Sequence, residues 1–286
     1  MRISAASTAV FIATVAPASE AFVSLGQLTL KSSLQSLTSL RLADVTYTPP
    51  PSLVDNNSTD GISSVYDELS FEPEVGVAAE LAEVFRIRQP LTDLEKQQQA
   101  WLVHAIKVHV FDRFFASSTL DRSYARFYAL ETIARIPFFA FLSVLHMFET
   151  LGWWRRADLL QLHFEESWNE LHHLLIMEEL GGEKRWFDRF LAQHVSCFYY
   201  WMIVAFYLVN PLAAYHFNEL IEKEAYHTYD TFLNENGPYL KEQPAPKVAV
   251  KYYGKEAMGN LYDCFSAIRD DEAEHFMTMQ KLQCWK

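Results

Sequence analysis

The feature that most constrains the fold is a Glu-x-x-His spacing that occurs three times in the second half of the chain. On an α-helix, residues three apart lie on one face, so each pair presents a carboxylate beside an imidazole. The three pairs are Glu170/His173, Glu224/His227 and Glu272/His275. A single pair is a weak signal. Two pairs combined with two further glutamates, each on its own helix, form the donor set of helical bundles that hold two metal ions.

The sequence from about residue 91 onward has the periodicity of helices, and no stretch alternates with period two for long enough to predict a sheet. The predicted helices are 91–115, 121–149, 156–180, 184–209, 212–235 and 255–283. Glycine and proline mark the breaks between them, at Gly152, Gly181-Gly182, Asn210-Pro211 and Gly237-Pro238. Pro137 should kink the second helix. The sequence therefore predicts an all-α fold.

Several ionisable residues stand within apolar stripes of these helices. Glu131 lies between Phe127 and Phe138 in the second helix, and Glu272 and His275 interrupt the apolar stripe of the last. A buried carboxylate is costly unless it is paired or bound to a metal. The alternative is a set of buried ion pairs with arginine, for which the candidates are Arg126, Arg135 and Arg155. Such pairs would not explain two Glu-x-x-His motifs on separate apolar faces.

The fifth helix offers two glutamates as a metal ligand. His227 shares its stripe with Lys223 and Asp230, a pattern typical of a solvated face. We therefore expect Glu222 to be the ligand and the Glu224/His227 pair not to be, and we assign Glu224 to a substrate path.

The predicted metal ligands are Glu131, Glu170, His173, Glu222, Glu272 and His275. Their carboxylates roughly balance the charge of two ferric ions joined by an oxo or hydroxo bridge. Oxygen and nitrogen ligands without thiolate suit iron or manganese, whereas a closed structural zinc site usually includes cysteine. The donor set therefore predicts two iron ions.

Charge, cysteine content and the N-terminus restrict partners and location. The formal net charge of −12 argues against nucleic acid as a partner. The three cysteines are far apart and form no CxxC, which is typical of a reducing compartment. Residues 1–21 are predicted to be a signal peptide, residues 22–75 a transit peptide and linker, and residues 76–286 the folded domain. The alternative for the leader is a disordered tail.

Two predicted helices carry more apolar surface than a soluble bundle needs. The first has Leu102, Ile106 and Val110 on one stripe, and the fourth has a run of aromatic residues from Phe198 to Tyr207. Its longest uncharged apolar run is thirteen residues, whereas crossing a bilayer takes about 20. We expect both helices to lie in one leaflet of a membrane; the alternative is that they pack in the core.

Four short motifs on separate predicted helices resemble one known family. They are Leu130-Glu-Thr132, Asn169-Glu-Leu-His-His-Leu174, Ile221-Glu-Lys-Glu-Ala225 and Arg269-Asp-Asp-Glu-Ala-Glu-His275. Together they are similar to the alternative oxidases, and most closely to their plastid branch, the plastid terminal oxidases. The resemblance covers roughly residues 90 to 282.

This resemblance implies a ferritin-like four-helix di-iron bundle with two additional membrane-docking helices, in a homodimer bound to one leaflet of the thylakoid membrane. It implies the same six ligands, with Tyr229 near the metals as a catalytic residue that supplies an electron and a proton. The implied quinol pocket is formed by Arg126, Leu130, Glu224, Ala225 and Thr228. Asn169 and Asp271 would orient the ligands.

The expected activity is oxidation of a membrane quinol coupled to reduction of O2 to water, without proton pumping. Plastoquinol is favoured over ubiquinol by the leader sequence. One alternative is a di-iron hydroxylase that inserts an oxygen atom into a quinone precursor or lipid. Another is a metal-free helical membrane adaptor, which iron content per chain would distinguish.

Overall fold

A computed structural model describes residues 76–87, 89–116 and 119–284. The predicted signal peptide, transit peptide and linker lie outside these residues. The described residues form helices and no strand, so the all-α prediction is confirmed. The α-helices are α1 Val77–Val84, α2 Asp93–Ile106, α3 Leu120–Ala134, α4 Ile136–Thr150, α5 Ala157–Glu179, α6 Trp186–Val209, α7 Pro211–Glu242, α8 Lys247–Tyr253 and α9 Leu261–Lys281. A π-helical segment, Lys107–Phe111, and a last turn, Asp112–Phe114, continue α2.

Local sequence explains where several of these helices begin and end. The side chains of Thr92, Thr119, Asn210 and Asn260 accept a backbone hydrogen bond at the first turns of α2, α3, α7 and α9, respectively. These side chains satisfy donors that a helix N-terminus leaves unpaired. After α4 and α5 the chain turns at Gly152 and Gly181, whose φ values of 69° and 82° suit glycine.

The structure confirms one predicted boundary and corrects others. The kink is confirmed, because α3 and α4 meet at Arg135 with Pro137 in the first turn of α4. The predicted break at Gly237-Pro238 is wrong, because α7 runs through both residues and buries Leu240. The predicted last helix begins later than expected, at Leu261, and the separate helix α8 lies in the stretch 236–254, where no helix was predicted. The sequence analysis did not predict α1.

Four long helices surround the centre of the molecule, with α3 packed on α5 and α7 packed on α9. Buried apolar side chains form two clusters. One contains residues of α1, α4 and α6 together with the N-terminal parts of α5 and α7, and the other contains α3, the C-terminal parts of α5 and α7, and the start of α9. The ionisable residues of α5, α7 and α9 lie between these stretches along each helix. The bundle therefore has a polar layer between two apolar regions.

Two described stretches are long and apolar enough to cross a bilayer by length and composition, Leu120–Thr150 and Trp186–Val209. The first comprises α3 and α4, and 67% of its most apolar window is buried inside the protein. The second is α6, for which the buried share is only 28%. Hence α3 and α4 are core helices, whereas α6 turns most of its apolar surface outward.

Candidate metal centre

All six predicted ligands meet in the polar layer. Glu131 comes from α3, Glu170 and His173 from α5, Glu222 from α7, and Glu272 and His275 from α9. Five of them have no exposed surface, and His275 is 6% exposed. Their donor atoms form two groups, each with all atoms within 4.8 Å of one another, and the groups are Glu131, Glu170, His173 and Glu272, then Glu170, Glu222, Glu272 and His275. Since Glu170 and Glu272 belong to both, two adjacent ion positions would share two carboxylates.

The atoms that face the middle of this centre have no hydrogen-bond partner. They are Glu131 Oε2, both carboxylate oxygens of Glu170, Glu222 and Glu272, and Nδ1 of His173 and of His275. His275 Nδ1 lies 2.9 Å from Glu170 Oε1, and His173 Nδ1 lies 3.4 Å from Glu272 Oε1, without hydrogen-bond geometry. Buried polar groups in native proteins are almost always satisfied. These inward-facing oxygen and nitrogen atoms without hydrogen-bond partners therefore fit the role of ligands to a bound pair of metal ions.

The outer nitrogen of His173 is fixed by residues around the centre. Its Nε2 donates to Asp271 Oδ2 at 3.0 Å, and the Tyr253 hydroxyl lies 3.0 Å from the same nitrogen. Asp271 Oδ2 also accepts from Asn169 at 2.7 Å and from Tyr253 at 2.7 Å. A proton held on Nε2 leaves the lone pair of Nδ1 directed at the centre, which is the tautomer that a metal ligand needs.

Tyr229 on α7 is fully buried beside the centre. Its hydroxyl donates to Glu131 Oε1, and its ring stacks on Phe127 with centroids 4.3 Å apart. Burial and the charge of Glu131 raise the pKa of Tyr229 well above its usual value. The phenol therefore keeps its proton and shares it with a candidate ligand.

The electrostatics of the centre call for positive charge. Burial and repulsion by Glu272 raise the pKa of Glu170 and of Glu222 well above the ordinary value of a carboxyl. Burial lowers the pKa of His275. Burial also opposes a charge on His173, but Tyr253 and Asp271 outweigh it and raise the pKa of that ring. A dication at the centre would instead stabilise the carboxylates as anions.

The alternative of buried arginine ion pairs finds no support at these residues. Arg126 pairs with Asp112 at 2.9 Å, and Arg155 pairs with Glu149 at 2.8 Å. The carboxylates of the centre face histidine rings and one another instead. All-oxygen and nitrogen donors with no cysteine in the cluster suit iron or manganese, so these residues fit the expected di-iron group.

The residues predicted to bind quinol lie beside the centre but do not all line one cavity. A cavity of about 540 Å³ is lined in part by Lys107, Ser123, Arg126, His227 and Thr228. Glu224 is half-buried and forms an ion pair with Lys107 at its rim. Ala225 is buried and Leu130 is half-buried, and neither lines this cavity. His227, which was not expected to be a ligand, is exposed.

Two features near the centre were not predicted. Tyr253 reaches His173 and Asp271 from α8, a helix that was not predicted, so no pattern in the sequence indicated this contact. His163 and Glu166 are also buried, on the same face of α5 as Glu170, and their Nδ1 and Oε2 atoms are 2.9 Å apart. Glu166 lies four residues before Glu170, and His163 lies three residues before Glu166, so this helical spacing could have revealed them.

Comparison with known proteins gives one family. The sequence profile of the alternative oxidases matches residues 80–283. The chain is 58% identical over 182 residues to ubiquinol oxidase 4, chloroplastic/chromoplastic, of Arabidopsis thaliana, covering 57% of this chain and 52% of that protein. It is 33% identical over 183 residues to the mitochondrial ubiquinol oxidase 1c of the same plant, covering 61% and 52%. It is 30% identical over 236 residues to the mitochondrial ubiquinol oxidase 1b of Oryza sativa subsp. japonica, covering 79% and 64%. The chain thus spans about half the length of the first two relatives.

Proposed function

The chain belongs to the alternative oxidase family, and we propose that it oxidises a membrane quinol and reduces O2 to water at the buried polar layer. The observation that carries this proposal is the set of inward-facing carboxylate oxygens and imidazole nitrogens that lack hydrogen-bond partners. The named relatives are ubiquinol oxidases, one of them from the plastid. Plastoquinol is the proposed substrate of this chain, and the thylakoid membrane is its proposed location.

The proposed cofactor is a pair of iron ions held by the six residues of the candidate centre. Iron in such a site supplies the electrons that reduce oxygen and takes them back from quinol. The protein contributes the positions of the donors: Asp271 holds the proton on His173 Nε2, so that Nδ1 is free to bind. Asn169 and Tyr253 each donate to the same Asp271 oxygen and fix it.

Tyr229 is the proposed catalytic residue of this chain. Its hydroxyl proton is shared with Glu131 Oε1 inside a site without exposed surface. Because the burial of Tyr229 favours the neutral phenol, the hydroxyl gives up its proton only together with an electron. That combined transfer is what the cleavage of dioxygen needs from a protein side chain.

Quinol binding is proposed for the cavity between the end of α2, α3 and α7. Arg126 and Thr228 offer polar contacts to a quinol head group there, and Phe127 joins the cavity to Tyr229 through their stacked rings. Glu224 lies at the rim, where it forms an ion pair with Lys107. Leu130 and Ala225 do not line this cavity, so their contact with quinol stays a prediction.

Membrane attachment through α2 and α6 is proposed from their exposed apolar side chains. Trp101 on α2 is 70% exposed, and Phe198 and Trp201 on α6 are 73% and 65% exposed. Aromatic side chains of this kind bind at the interface between headgroups and acyl chains. The test is flotation of the full chain with vesicles: a Phe198→Glu, Trp201→Glu variant should stay behind, whereas Met277→Glu, at an exposed position of α9, should float. Equal flotation of both variants would contradict this attachment.

A homodimer is proposed through the outer face of α4 and α5. Phe139 and Phe164 are 54% and 57% exposed there, beside Trp168. These side chains border a largely apolar groove of about 490 Å³. Sedimentation of the full chain in detergent should give a dimer that Phe164→Arg disrupts, and a wild-type monomer would disprove it.

The central test is oxygen uptake by the iron-loaded full chain with a short-chain plastoquinol analogue and cyanide present. Uptake of one O2 for every two quinols, absent in Glu170→Ala, would establish the oxidase. Label from ¹⁸O2 recovered in the organic product would identify a hydroxylase instead. A folded, iron-loaded protein without quinol-dependent uptake would overturn the oxidase assignment.

A further inference from the structure

A row of four buried polar side chains extends from the metal centre through the first apolar cluster. Glu166 Oε2 lies 2.9 Å from His163 Nδ1, and His163 Nε2 lies 2.9 Å from the Tyr215 hydroxyl. The Tyr215 hydroxyl lies 2.7 Å from the Tyr207 hydroxyl. His163, Tyr207 and Tyr215 have no exposed surface, and Glu166 is 6% exposed. Each contact has the length of a good hydrogen bond, so the row is continuous.

The inner end of this row adjoins the centre. Glu166 is one helical turn before Glu170 on α5, and both side chains are buried. The ring of Phe138 contacts His163 and His275, with centroids 6.4 Å and 5.4 Å away. Glu166 Oε1 is buried and has no hydrogen-bond partner. The row therefore ends on a free carboxyl oxygen beside the candidate ligands.

The outer end of the row approaches charged residues that solvent reaches. The Arg156 guanidinium is close enough to lower the pKa of both the Tyr207 and Tyr215 hydroxyls, although burial raises them overall. Arg156 is in turn paired with Asp158 and Glu80, whose side chains are 30% and 42% exposed. The row thus leads from the centre toward a hydrated surface.

This row lies on the opposite side of the polar layer from the proposed quinol cavity. Tyr207 and Tyr215 belong to the apolar cluster that contains α4 and α6. Phe127 and Phe232, which line the quinol cavity, belong to the other cluster. Protons released by quinol at its cavity and protons consumed at the centre would therefore use different routes.

We propose that Tyr207, Tyr215, His163 and Glu166 form a proton relay that carries protons from solvent to the metal centre. The proposal rests on the proposed oxidase function, since reduction of O2 to two waters consumes four protons. The four side chains deliver protons to the reacting atoms without touching them. Buried polar side chains with every member satisfied except the innermost oxygen suit such a role.

One transfer moves a single proton inward along the row. In the starting state Tyr207 donates to Tyr215, Tyr215 donates to His163 Nε2, and His163 Nδ1 donates to Glu166 Oε2, with the carboxyl proton on Oε1. Glu166 releases that proton toward the centre. Each member then takes one proton from its outer neighbour, and a proton that enters from the solvent side at Arg156 replaces the proton of Tyr207. One proton enters, one leaves, and the same distances now hold with every hydrogen bond reversed. Rotation of the hydroxyl and carboxyl groups, together with the return of His163 from the tautomer protonated on Nε2 to the tautomer protonated on Nδ1, restores the starting state.

The test compares Tyr207→Phe and Tyr215→Phe in the iron-loaded full chain with the wild type. Each change removes one hydroxyl and keeps the ring that packs the cluster. We expect kcat to fall by at least about tenfold, with KM for quinol and iron content unchanged and with a larger solvent deuterium isotope effect on kcat. The matched control is Tyr200→Phe, which loses a hydroxyl bonded to Ser143 at 3.0 Å outside the row and should keep wild-type values.

A second measurement needs neither metal nor turnover. In ¹⁵N spectra of the histidine-labelled, metal-free chain, His163 should be a neutral ring at neutral pH, because burial lowers its pKa to about 3. Its Nε2 resonance should shift in Tyr215→Phe and its Nδ1 resonance in Glu166→Gln. A charged His163 ring would have no lone pair to accept a proton and would overturn the relay.

The outcomes separate the relay from the oxidase. A wild type without quinol-dependent oxygen uptake would overturn both. An active wild type whose Tyr207→Phe and Tyr215→Phe variants keep the wild-type kcat and isotope effect would overturn the relay alone. A loss of kcat with an unchanged isotope effect would identify the row as structural and would also overturn it.

Discussion

Glu131 illustrates how single residues of the centre serve two partners at once. Its Oε1 atom accepts from Tyr229, while Oε2 faces His173 Nδ1 at 3.7 Å and has no hydrogen-bond partner. One oxygen therefore forms a hydrogen bond within the protein, and the other is free to bind a metal. The same division holds for His173, whose Nε2 is bound to Asp271 and whose Nδ1 is unpaired.

Replacing Tyr229 by Phe should separate iron binding from turnover. The ring still stacks on Phe127, and all six proposed ligands remain, so we expect iron content to match the wild type. Loss of the phenolic proton and electron should lower quinol-dependent oxygen uptake by at least about 100-fold. Both are measured on one preparation, by iron analysis and an oxygen electrode. Near-normal turnover would remove Tyr229 from the catalytic step.

Replacing Asp271 by Asn should weaken iron binding instead. The amide cannot hold His173 Nε2 and accept from Asn169 and Tyr253 as strongly as a carboxylate does. Partners that orient metal ligands typically contribute about 10- to 100-fold in affinity, and we expect a loss in that range in competition with a chelator. The matched control is Asp270→Asn, whose carboxylate is 65% exposed and pairs with Arg269. Equal affinity in the two variants would show that Asp271 does not position the ligand.

The sequence was informative about this centre wherever the information is local to one helix. The spacing of Glu170 and His173, and of Glu272 and His275, is fixed by the pitch of a helix. The choice of Glu222 over Glu224 follows from which face is apolar. Tyr253 could not be found in this way, because its contact with His173 depends on how α8 folds back on α5. Such tertiary contacts have no periodic signal.

At the scale of helices, two glycines that mark predicted breaks behave in opposite ways. Gly182 lies in the turn after α5, where an added Cβ would come within 2.5 Å of the Tyr124 carbonyl oxygen and 2.7 Å of Tyr128 Cβ. Gly237 lies inside α7, where an added Cβ would come within 3.4 Å of the Tyr262 ring, an ordinary contact distance. The first glycine is required by close packing and the second is not.

Alanine at these two positions should therefore change stability by different amounts. Gly182→Ala pushes two backbone segments apart and should lower the free energy of unfolding by about 1–3 kcal/mol. Gly237→Ala has two opposed effects, because it removes backbone freedom from the unfolded chain but places a Cβ against the ring of the following Pro238 in a helical conformation, so we expect a change of less than about 1 kcal/mol. Denaturant unfolding of the two variants measures both. Equal destabilisation by the two changes would mean that α7 needs glycine at position 237.

The boundaries of the helices show where local sequence rules are overridden. Thr92 caps α2 within two residues of the predicted start, and Asn260 caps α9 within the range predicted for that helix. Capping is a local interaction. Pro238 does not end α7, although proline in a helix interior typically costs about 3 kcal/mol. Leu240, two residues further on, is fully buried in the second apolar cluster. Tertiary packing of this kind outweighs a local preference that the sequence alone displays.

At the scale of the whole molecule, the centre lies where the two apolar clusters meet. Four helices from distant parts of the sequence each place at least one ionisable side chain in the layer between the clusters. Repulsion among these side chains opposes folding, and a bound cation would favour it. The stability of the fold should therefore depend on metal and on pH together.

Metal-free protein should lose stability as pH rises above about 6.5. Burial raises the folded-state pKa values of Glu166, Glu170 and Glu222 well above 4.5, so above pH 4.5 the folded chain holds protons that the unfolded chain has released. Stability then falls with pH. The pKa values of His163 and His275 are lowered from 6.5. These two rings make stability rise with pH, but only below about pH 6.5. The raised pKa of His173 acts in the same direction as the carboxyls.

Iron should reverse this trend because it binds the deprotonated carboxylates. Free iron at 100 times its dissociation constant would stabilise the fold by about 2.7 kcal/mol, and the increment should grow with pH as protons cease to compete. Thermal unfolding of metal-free and iron-loaded protein at several pH values across this window measures both trends. Glu222→Gln removes one of the raised carboxyls and should flatten the metal-free curve. Metal-free protein that becomes more stable as pH rises would show that these carboxylates are stabilised by the fold alone, and the layer would then have no need of a metal.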